Sequence, residues 1–328
     1  MPQRRDPMPS HLAATITRSA SLQSYLTIRW LADRAYRGDA FALYAYFRWL
    51  DDAVDERLGD QEARLAFVAR QRDLLDQALA GARSVDLCPE EALLVGLVRG
   101  SGAGAGGAGD PAQADGLPLS LRSMLDVMEF DARRRGRPVS QDELDTYTRA
   151  LAVAVTEALH HCIGHGKGSP HDETRYVAVT GAHVAHMLRD LAEDLVAGYV
   201  NVPAELVTDG PLSLEDLHTP VLRAWVRDRV ELARSCFATG RDYLARVECA
   251  RCRLAGHAYI ARFEWVLDAV EQDGYRLRTG YPERGTLRGG VTIAADGARS
   301  AWSGRSTRSA AGARGHAGAR IVSGGAHR

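Results

Sequence analysis

The stretch FRWLDDAVDE, residues 47–56, places four acidic side chains within six residues, directly after an apolar run. On a helix, Asp51 and Asp55 would lie one turn apart on the same face, with Arg48 one turn before Asp51. Clustered acids usually form a solvated face, but the flanking FALYAYFRWL (41–50) is too apolar for a helix in water. Buried acids need counter-charges, and Arg48 alone does not balance four of them. The stretch therefore predicts a site that gathers cations.

A second acidic helix face follows about 135 residues later, in HMLRDLAEDLVAGYVNVP (186–203). His186, Asp190 and Asp194 recur every four residues, and Arg189 is their neighbour. Carboxylates that face one another supply the hard oxygen ligands that Mg²⁺ prefers. The ion also retains several water ligands and binds phosphate oxygens. Arginine offers fork-shaped donors to the same oxygens. The two stretches together predict that two acidic helices converge in the interior on magnesium and a diphosphate.

Composition and charge exclude several classes of protein. The chain has 328 residues, of which 45% are apolar and 25% charged, as in a soluble globular protein. Residues 286–328 contain seven arginines and one acid, a net charge of +6. The formal net charge of the whole chain is −1, so the residues before 286 carry about −7. An acidic body argues against nucleic acid as the main partner. No apolar run approaches the roughly 18 residues of a membrane span, and the five scattered cysteines suit reduced thiols, so we expect a cytoplasmic protein.

Apolar residues at three- and four-residue spacing dominate the chain, and no convincing strand pattern of alternating residues occurs. The sequence therefore predicts an all-α fold, a single large helical bundle. Breaks are expected at Gly81, 99–116, 165–172 and 208–211. The predicted helices cover residues 12–35, 39–56, 61–81, 118–135, 141–163, 172–197, 213–247 and 250–273.

Two short motifs are typical of other functions. Gly104, Gly106 and Gly109 have dinucleotide-site spacing, but they lie in a Gly/Ala tract that ends at Asp110-Pro111. A flexible loop explains them better, and no nicotinamide cofactor is expected. Cys249 and Cys252 have the spacing of half a zinc site, but no second pair completes it, which favours a helical position for both.

Several stretches resemble one known family. YAYFRWLDDAVDE (44–56) and MLRDLAEDLVAGYVNVP (187–203) resemble the two Asp-rich motifs of the squalene/phytoene synthase family, all-α prenyltransferases that bind allylic diphosphates through Mg²⁺. SYLTIRWL, MLDVMEFDARRRGRPVSQDELDTYTRALAVAVTEAL and AGHAYIARFEWVLDAVEQDGYRL also fit the pattern, which extends over about 14–283. The resemblance implies a bundle with a central cavity of the isoprenoid synthase type. It would occupy residues 14–285, between a flexible N-terminus (1–13) and a disordered basic tail (286–328).

The resemblance also implies roles for individual residues. Two or three Mg²⁺ ions would bind, together with the diphosphate, to Asp51, Asp52, Asp55, His186, Asp190 and Asp194. The catalytic set would be Asp51, Asp55, Asp190 and Asp194 with the diphosphate-binding Arg48 and Arg189. The prenyl chain and a small-molecule acceptor would lie against Tyr44, Asp131, Tyr147, Leu151, Val155, His183 and Phe263. Ordinary core packing is the alternative for each residue of this lining.

Four departures from the family pattern bear on the acceptor. His183 and His186 replace Gln and Asn, Phe263 replaces a tyrosine, and Thr156 replaces a glycine. The Ser/Lys cluster that helps to hold a second diphosphate is present as residues 21–25, SLQSY, without its basic residue. We therefore expect the part of the site that binds the prenyl diphosphate donor to be intact. The part that would bind a second diphosphate is expected to have lost some of its binding residues. Each histidine has three readings: a metal ligand, a proton acceptor, or a core histidine with satisfied hydrogen bonds.

Three reactions fit this sequence. The first is prenyl transfer to a carbon of an electron-rich aromatic acceptor of the indole or carbazole kind, as in a branch of the family, which implies secondary metabolism such as antibiotic biosynthesis. The second is head-to-head condensation of two prenyl diphosphates, as in phytoene, dehydrosqualene or presqualene synthesis. The third is cyclisation without an acceptor, because DDAVD (51–55) also fits the motif of class I terpene cyclases. The sequence leaves the oligomeric state open.

Overall fold

The computed structural model describes residues 7–83, 85–100, 116–165, 167–207 and 212–281. Within these ranges the only β-type pairing is an isolated bridge between Val139 and Pro203, so the predicted all-α class is confirmed. The ten α-helices of the described residues are α1 Pro7–Ala20, α2 Leu22–Leu31, α3 Arg37–Asp52, α4 Gln61–Leu79, α5 Pro89–Gly100, α6 Gly116–Arg134, α7 Gln141–Cys162, α8 Thr174–Ala197, α9 Pro220–Arg246 and α10 Ala250–Gln272.

Helix α8, which carries the second acidic motif, lies among α7, α9 and α10. Two glycines let α8 and α9 approach closely. A Cβ on Gly181 would lie 2.8 Å from the Cβ of Cys236, and one on Gly240 would lie 2.7 Å from the Cβ of Ala178. Real Cβ atoms do not tolerate such distances, so larger residues would push the two helices apart. This close contact fixes the position of α8 against the rest of the bundle.

The N-terminal region differs from the prediction of one helix over 12–35. Helix α1 already begins at Pro7, and the chain breaks at Ser21, whose backbone is extended. The Ser21 hydroxyl accepts a hydrogen bond from the Ser24 N–H and thereby caps α2. A capping side chain of this kind satisfies an N–H that the first turn leaves unpaired, which favours a new helix start over continuation of the old one.

Helix α5 lies between the predicted helices 61–81 and 118–135, where the sequence analysis places none. In the structure α5 packs against α3 and α4. The buried Glu91 of α5 accepts bonds from Arg70 at 2.7 Å and Gln71 at 3.0 Å, which offset the cost of burying its charge. The G-x-G-x-x-G stretch at 104–109 and the tail 286–328 lie outside the described residues.

The first acidic motif lies at a change of helix type. The prediction of a regular helix over 39–56 is wrong here, because α3 ends at Asp52 and the chain continues as a π-turn over Ala53–Arg57. The Leu58 N–H bonds the carbonyl of Ala53, five residues earlier. Asp51 therefore lies on the α-helix and Asp55 on the wider turn. Single π-turns in helices occur frequently at functional sites.

Candidate active site

Arg48 organises the first acidic motif on its own helix. Its guanidinium lies 3.1 Å from Asp51 Oδ2 and 2.5 Å from Asp52 Oδ1. Asp52 also lies 3.6 Å from the guanidinium of Arg57. Arg48 and Asp51 are partly exposed, so these pairs contribute little to stability and remain free to exchange partners with a ligand.

Asp55 connects the first motif to the end of the second. The Tyr199 hydroxyl donates to Asp55 Oδ1 at 2.6 Å, and Arg135 Nη1 donates to the Asp55 carbonyl at 2.9 Å. Tyr199 follows the second motif closely, and its N–H bonds the carbonyl of Asp194 at 2.8 Å. Tyr199 therefore links the carboxylate of Asp55 to the backbone carbonyl of Asp194.

The second motif is held by groups on its own helix. The Arg189 guanidinium is buried and forks onto Asp190, with distances of 2.5 Å and 2.6 Å. His186 Nε2 lies 2.8 Å from the same carboxylate. Burial of Asp190 would raise its pKa, but the bonds from Arg189 and His186 outweigh it and the pKa is lowered. Asp190 is therefore an ionised carboxylate that pairs with the Arg189 guanidinium.

Arg134 joins the two motifs from α6. Its Nε donates to Asp131 Oδ1 at 2.6 Å and its Nη1 donates to Asn201 Oδ1. Asn201 in turn donates to Asp194 Oδ2 at 2.6 Å. The guanidinium also lies 4.9 Å from the ring centroid of Tyr199, a cation–π distance. One buried arginine therefore contacts groups next to both acidic motifs.

The acids of this site repel one another. Partial burial and the neighbouring Asp55 raise the pKa of Asp51 to about 7, although Arg48 opposes the change. Burial raises the pKa of Asp131 to about 6, with Asp55 contributing and Arg134 opposing. Burial and Asp190 raise the pKa of Asp194 to about 6. The internal arginines therefore leave the site short of positive charge.

This charge deficit fits divalent cations. Within the described ranges, no three His, Cys, Asp or Glu side chains already stand together at metal-binding geometry. The donor set nevertheless suits Mg²⁺, because it consists mainly of carboxylate oxygens and a diphosphate would complete the shell. The residues that would hold the metal are Asp51, Asp52, Asp55, Asp190 and Asp194, with His186 beside them.

The predicted cavity lining is only partly enclosed. Tyr44, Leu151 and Val155 are half-buried, whereas Phe263 is buried and its ring lies 6.2 Å from that of His186. The Tyr147 hydroxyl donates a hydrogen bond to Asp131 Oδ2 at 3.4 Å. The side chain of Tyr147 therefore extends from the acidic residues to the apolar lining.

His183 and Thr156 are buried polar side chains of this region without a partner. Neither nitrogen of His183 has a hydrogen bond, and neither does the hydroxyl of Thr156. No group of the described chain therefore satisfies the hydrogen bonds of His183.

The sequence analysis did not single out Tyr199, Asn201 or Arg134. The available signal was Gly198, which directly follows the second motif. Its φ of 88° lies in the left-handed region, and its N–H caps α8 by bonding the carbonyls of Asp194 and Leu195. This cap turns the chain sharply, so the polar residues that follow come back toward the helix that carries Asp194.

Other predictions concern regions away from this site. Cys249 and Cys252 are both buried; Cys252 lies on α10 as predicted, whereas Cys249 is the extended residue directly before that helix. Cys252 Sγ lies 3.8 Å from His160 Nδ1. In the part of the chain that the structure describes, no helix has both the length and the apolar character needed to cross a bilayer.

Comparisons with known proteins agree with this fold. The sequence model of the family described as squalene/phytoene synthase matches residues 17–288. Squalene synthase HpnC from Alicyclobacillus acidocaldarius is similar in structure, with a TM-score of 0.63 and 21% identity, covering 83% of this chain and 96% of its own. A dehydrosqualene synthase solved with a ligand has a TM-score of 0.63 and 17% identity, covering 89% and 96%. No curated protein sequence matches.

Proposed function

The chain belongs to the squalene/phytoene synthase family of prenyltransferases, and we propose that it transfers a prenyl group from an allylic diphosphate to a carbon of an electron-rich aromatic acceptor. The reaction would release diphosphate and would require two or three Mg²⁺ ions. Binding of the allylic diphosphate donor is supported by the cluster of mutually repelling carboxylates around Arg134 and Tyr199. Such a cluster is stabilised when cations and a diphosphate bind.

The residues of the two motifs would act on the leaving group. Bound Mg²⁺ would neutralise the charge that develops on the diphosphate as the allylic C–O bond breaks. Arg48 is partly exposed and can turn from Asp51 and Asp52 to the diphosphate oxygens. Arg189 is buried against Asp190 and orients that carboxylate. Because these groups are in place before ionisation, they can stabilise the transition state without reorganising.

The allylic cation must then be kept from water until it meets the acceptor. The half-buried Phe47, Tyr147 and Leu151 pack against the main apolar core and would line its path. The ring of Tyr147 has a further use, because aromatic faces attract cations. Its hydroxyl is held by Asp131, which keeps the polar end of this ring directed to the acids and away from the cation.

The acceptor assignment rests on the segment that would grip a second diphosphate. This segment, 21–25, contains no basic residue, and the Ser21 hydroxyl is engaged in capping α2. A second diphosphate would bring several negative charges there without a counter-charge from this segment. An uncharged aromatic acceptor has no such requirement.

Head-to-head condensation of two prenyl diphosphates is the second candidate. Family membership favours it, and so do the names of the structural neighbours, squalene synthase and dehydrosqualene synthase. Under this alternative the second donor would lie along the apolar lining.

One experiment separates the candidates. The protein is incubated with Mg²⁺ and prenyl diphosphates of increasing length, and diphosphate release is followed with and without indole or carbazole. Release that requires the aromatic compound, with a prenylated aromatic product by mass spectrometry, is the expected result. A hydrocarbon or a cyclopropyl diphosphate formed from the donor alone would replace the proposal with condensation, and a cyclic terpene would replace it with cyclisation.

A further inference from the structure

His183 is a buried polar side chain whose hydrogen bonds are not satisfied within the chain. The residue is only 7% exposed, and neither Nδ1 nor Nε2 has a partner. An unsatisfied buried polar group costs about 1–3 kcal/mol. Such a group needs an explanation, and a ligand that supplies the missing partner is one.

The position of His183 places it beside the proposed reaction centre. It shares a face of α8 with His186 and Asp190, which follow after one and two turns. At 1.5 Å per residue, it lies about 10 Å along the helix axis from Asp190, on the side away from Asp194. Its ring contacts the edge of Tyr147, with 5.2 Å between ring centroids. His183 therefore lies about two helical turns from Asp190, beside the aromatic ring of Tyr147.

The imidazole is neutral in this environment. Burial lowers its pKa to about 3, and the nearby His186 and Arg134 act in the same direction. A neutral imidazole has one N–H donor and one acceptor nitrogen. Tyr147 cannot satisfy either, since its hydroxyl is directed to Asp131. A prenyl chain, which has no polar atoms, cannot satisfy them either.

We infer that the unprotonated nitrogen of His183 accepts a hydrogen bond from a ring N–H of the aromatic acceptor, which makes His183 a specificity-determining residue. This inference rests on the proposed function and deepens it, because it narrows the acceptor to nitrogen heteroaromatics with a free N–H. As the ring carbon forms a bond to the allylic cation, positive charge develops on that N–H; the proton of the attacked carbon then passes to the released diphosphate and the ring becomes aromatic again. The hydrogen bond to the neutral imidazole then becomes stronger in the transition state than in the ground state.

The test uses indole and benzofuran, which have nearly the same shape but differ in the N–H. Because their intrinsic reactivities differ, binding is measured first, with Mg²⁺ and a non-ionising thiolodiphosphate analogue of the best donor present. We expect the wild-type protein to bind indole at least about tenfold more tightly than benzofuran. In His183→Leu the ratio of the two dissociation constants should fall to within about threefold. His183→Gln retains a hydrogen-bond acceptor and should keep a part of the preference.

Controls separate this inference from a structural role and from the proposed function. Thr156→Val removes a different buried polar atom without a partner, the hydroxyl on α7, and should leave the ratio unchanged. His183→Leu should unfold at the same temperature as the wild type or higher, because it removes an unsatisfied group. An unchanged ratio in His183→Leu would overturn the inference even if indole-dependent diphosphate release is observed. Absence of any aromatic-dependent release would overturn the proposed function, and the inference with it.

Discussion

Substitution of Asp131 tests whether the site carries more negative than positive charge. Its side chain is 11% exposed, and its pKa is raised from an ordinary value of 3.8 to about 6. The folded protein therefore binds a proton at Asp131 more tightly than the unfolded chain does. The stability that this proton contributes is present below pH 3.8 and is lost as the pH rises toward 6.

Asp131→Asn should therefore stabilise the protein at pH 8 in the absence of Mg²⁺. A pKa difference of about 2 corresponds to an upper limit of about 3 kcal/mol in the free energy of unfolding. The asparagine keeps a carbonyl oxygen for Arg134, which now donates to Asp131 at 2.6 Å, so the substitution does not leave this buried arginine without a partner. At pH 4 the wild-type carboxyl is protonated in the folded state, and the difference should shrink toward zero.

Urea denaturation followed by circular dichroism at pH 8 and pH 4 measures this effect. The matched control is Asp126→Asn on the same helix. The side chain of Asp126 is 54% exposed and pairs with Arg72, so its loss should cost no more than about 1 kcal/mol at pH 8. If the Asp131→Asn variant is less stable than the wild type at pH 8, the site does not carry uncompensated negative charge, and the reasoning is refuted.

Three further predictions concern the two motifs. Asp51→Asn and Asp190→Asn should each abolish turnover while the helical circular dichroism stays unchanged; normal turnover in either variant would contradict the metal assignment. Tyr199→Phe removes the donor to Asp55 and should weaken Mg²⁺ binding in the presence of diphosphate by about tenfold, measured by calorimetry; unchanged binding would contradict its positioning role. Mg²⁺ affinity should rise from pH 5.5 to pH 7.5, because Asp51 and Asp194 must lose protons with pKa values of about 7 and 6; a flat titration would contradict this.

Local patterns in the sequence were sufficient for most of the helices and for the two acidic motifs, but not for α5 or for the break at Ser21. Amphipathic spacing depends only on residues three and four apart, which is why α7 and α8 lie close to their predicted ranges. The family resemblance added the bundle fold and the prenyltransferase class, which the comparisons confirm. The roles of individual site residues remain predictions.

The link between the motifs was decided by tertiary structure. The hydrogen bond from Tyr199 to Asp55 joins residues 144 positions apart, and that from Arg134 to Asn201 joins residues 67 apart. No periodicity connects such distant residues, because their meeting depends on how α6 and α8 pack and on the turn at Gly198. The same is true of His183, whose lack of partners depends on every side chain around it. The sequence determined most of the helices and which of their faces are charged, because helix formation depends on neighbours along the chain. Packing decided which charges meet, because pairing depends on neighbours in space.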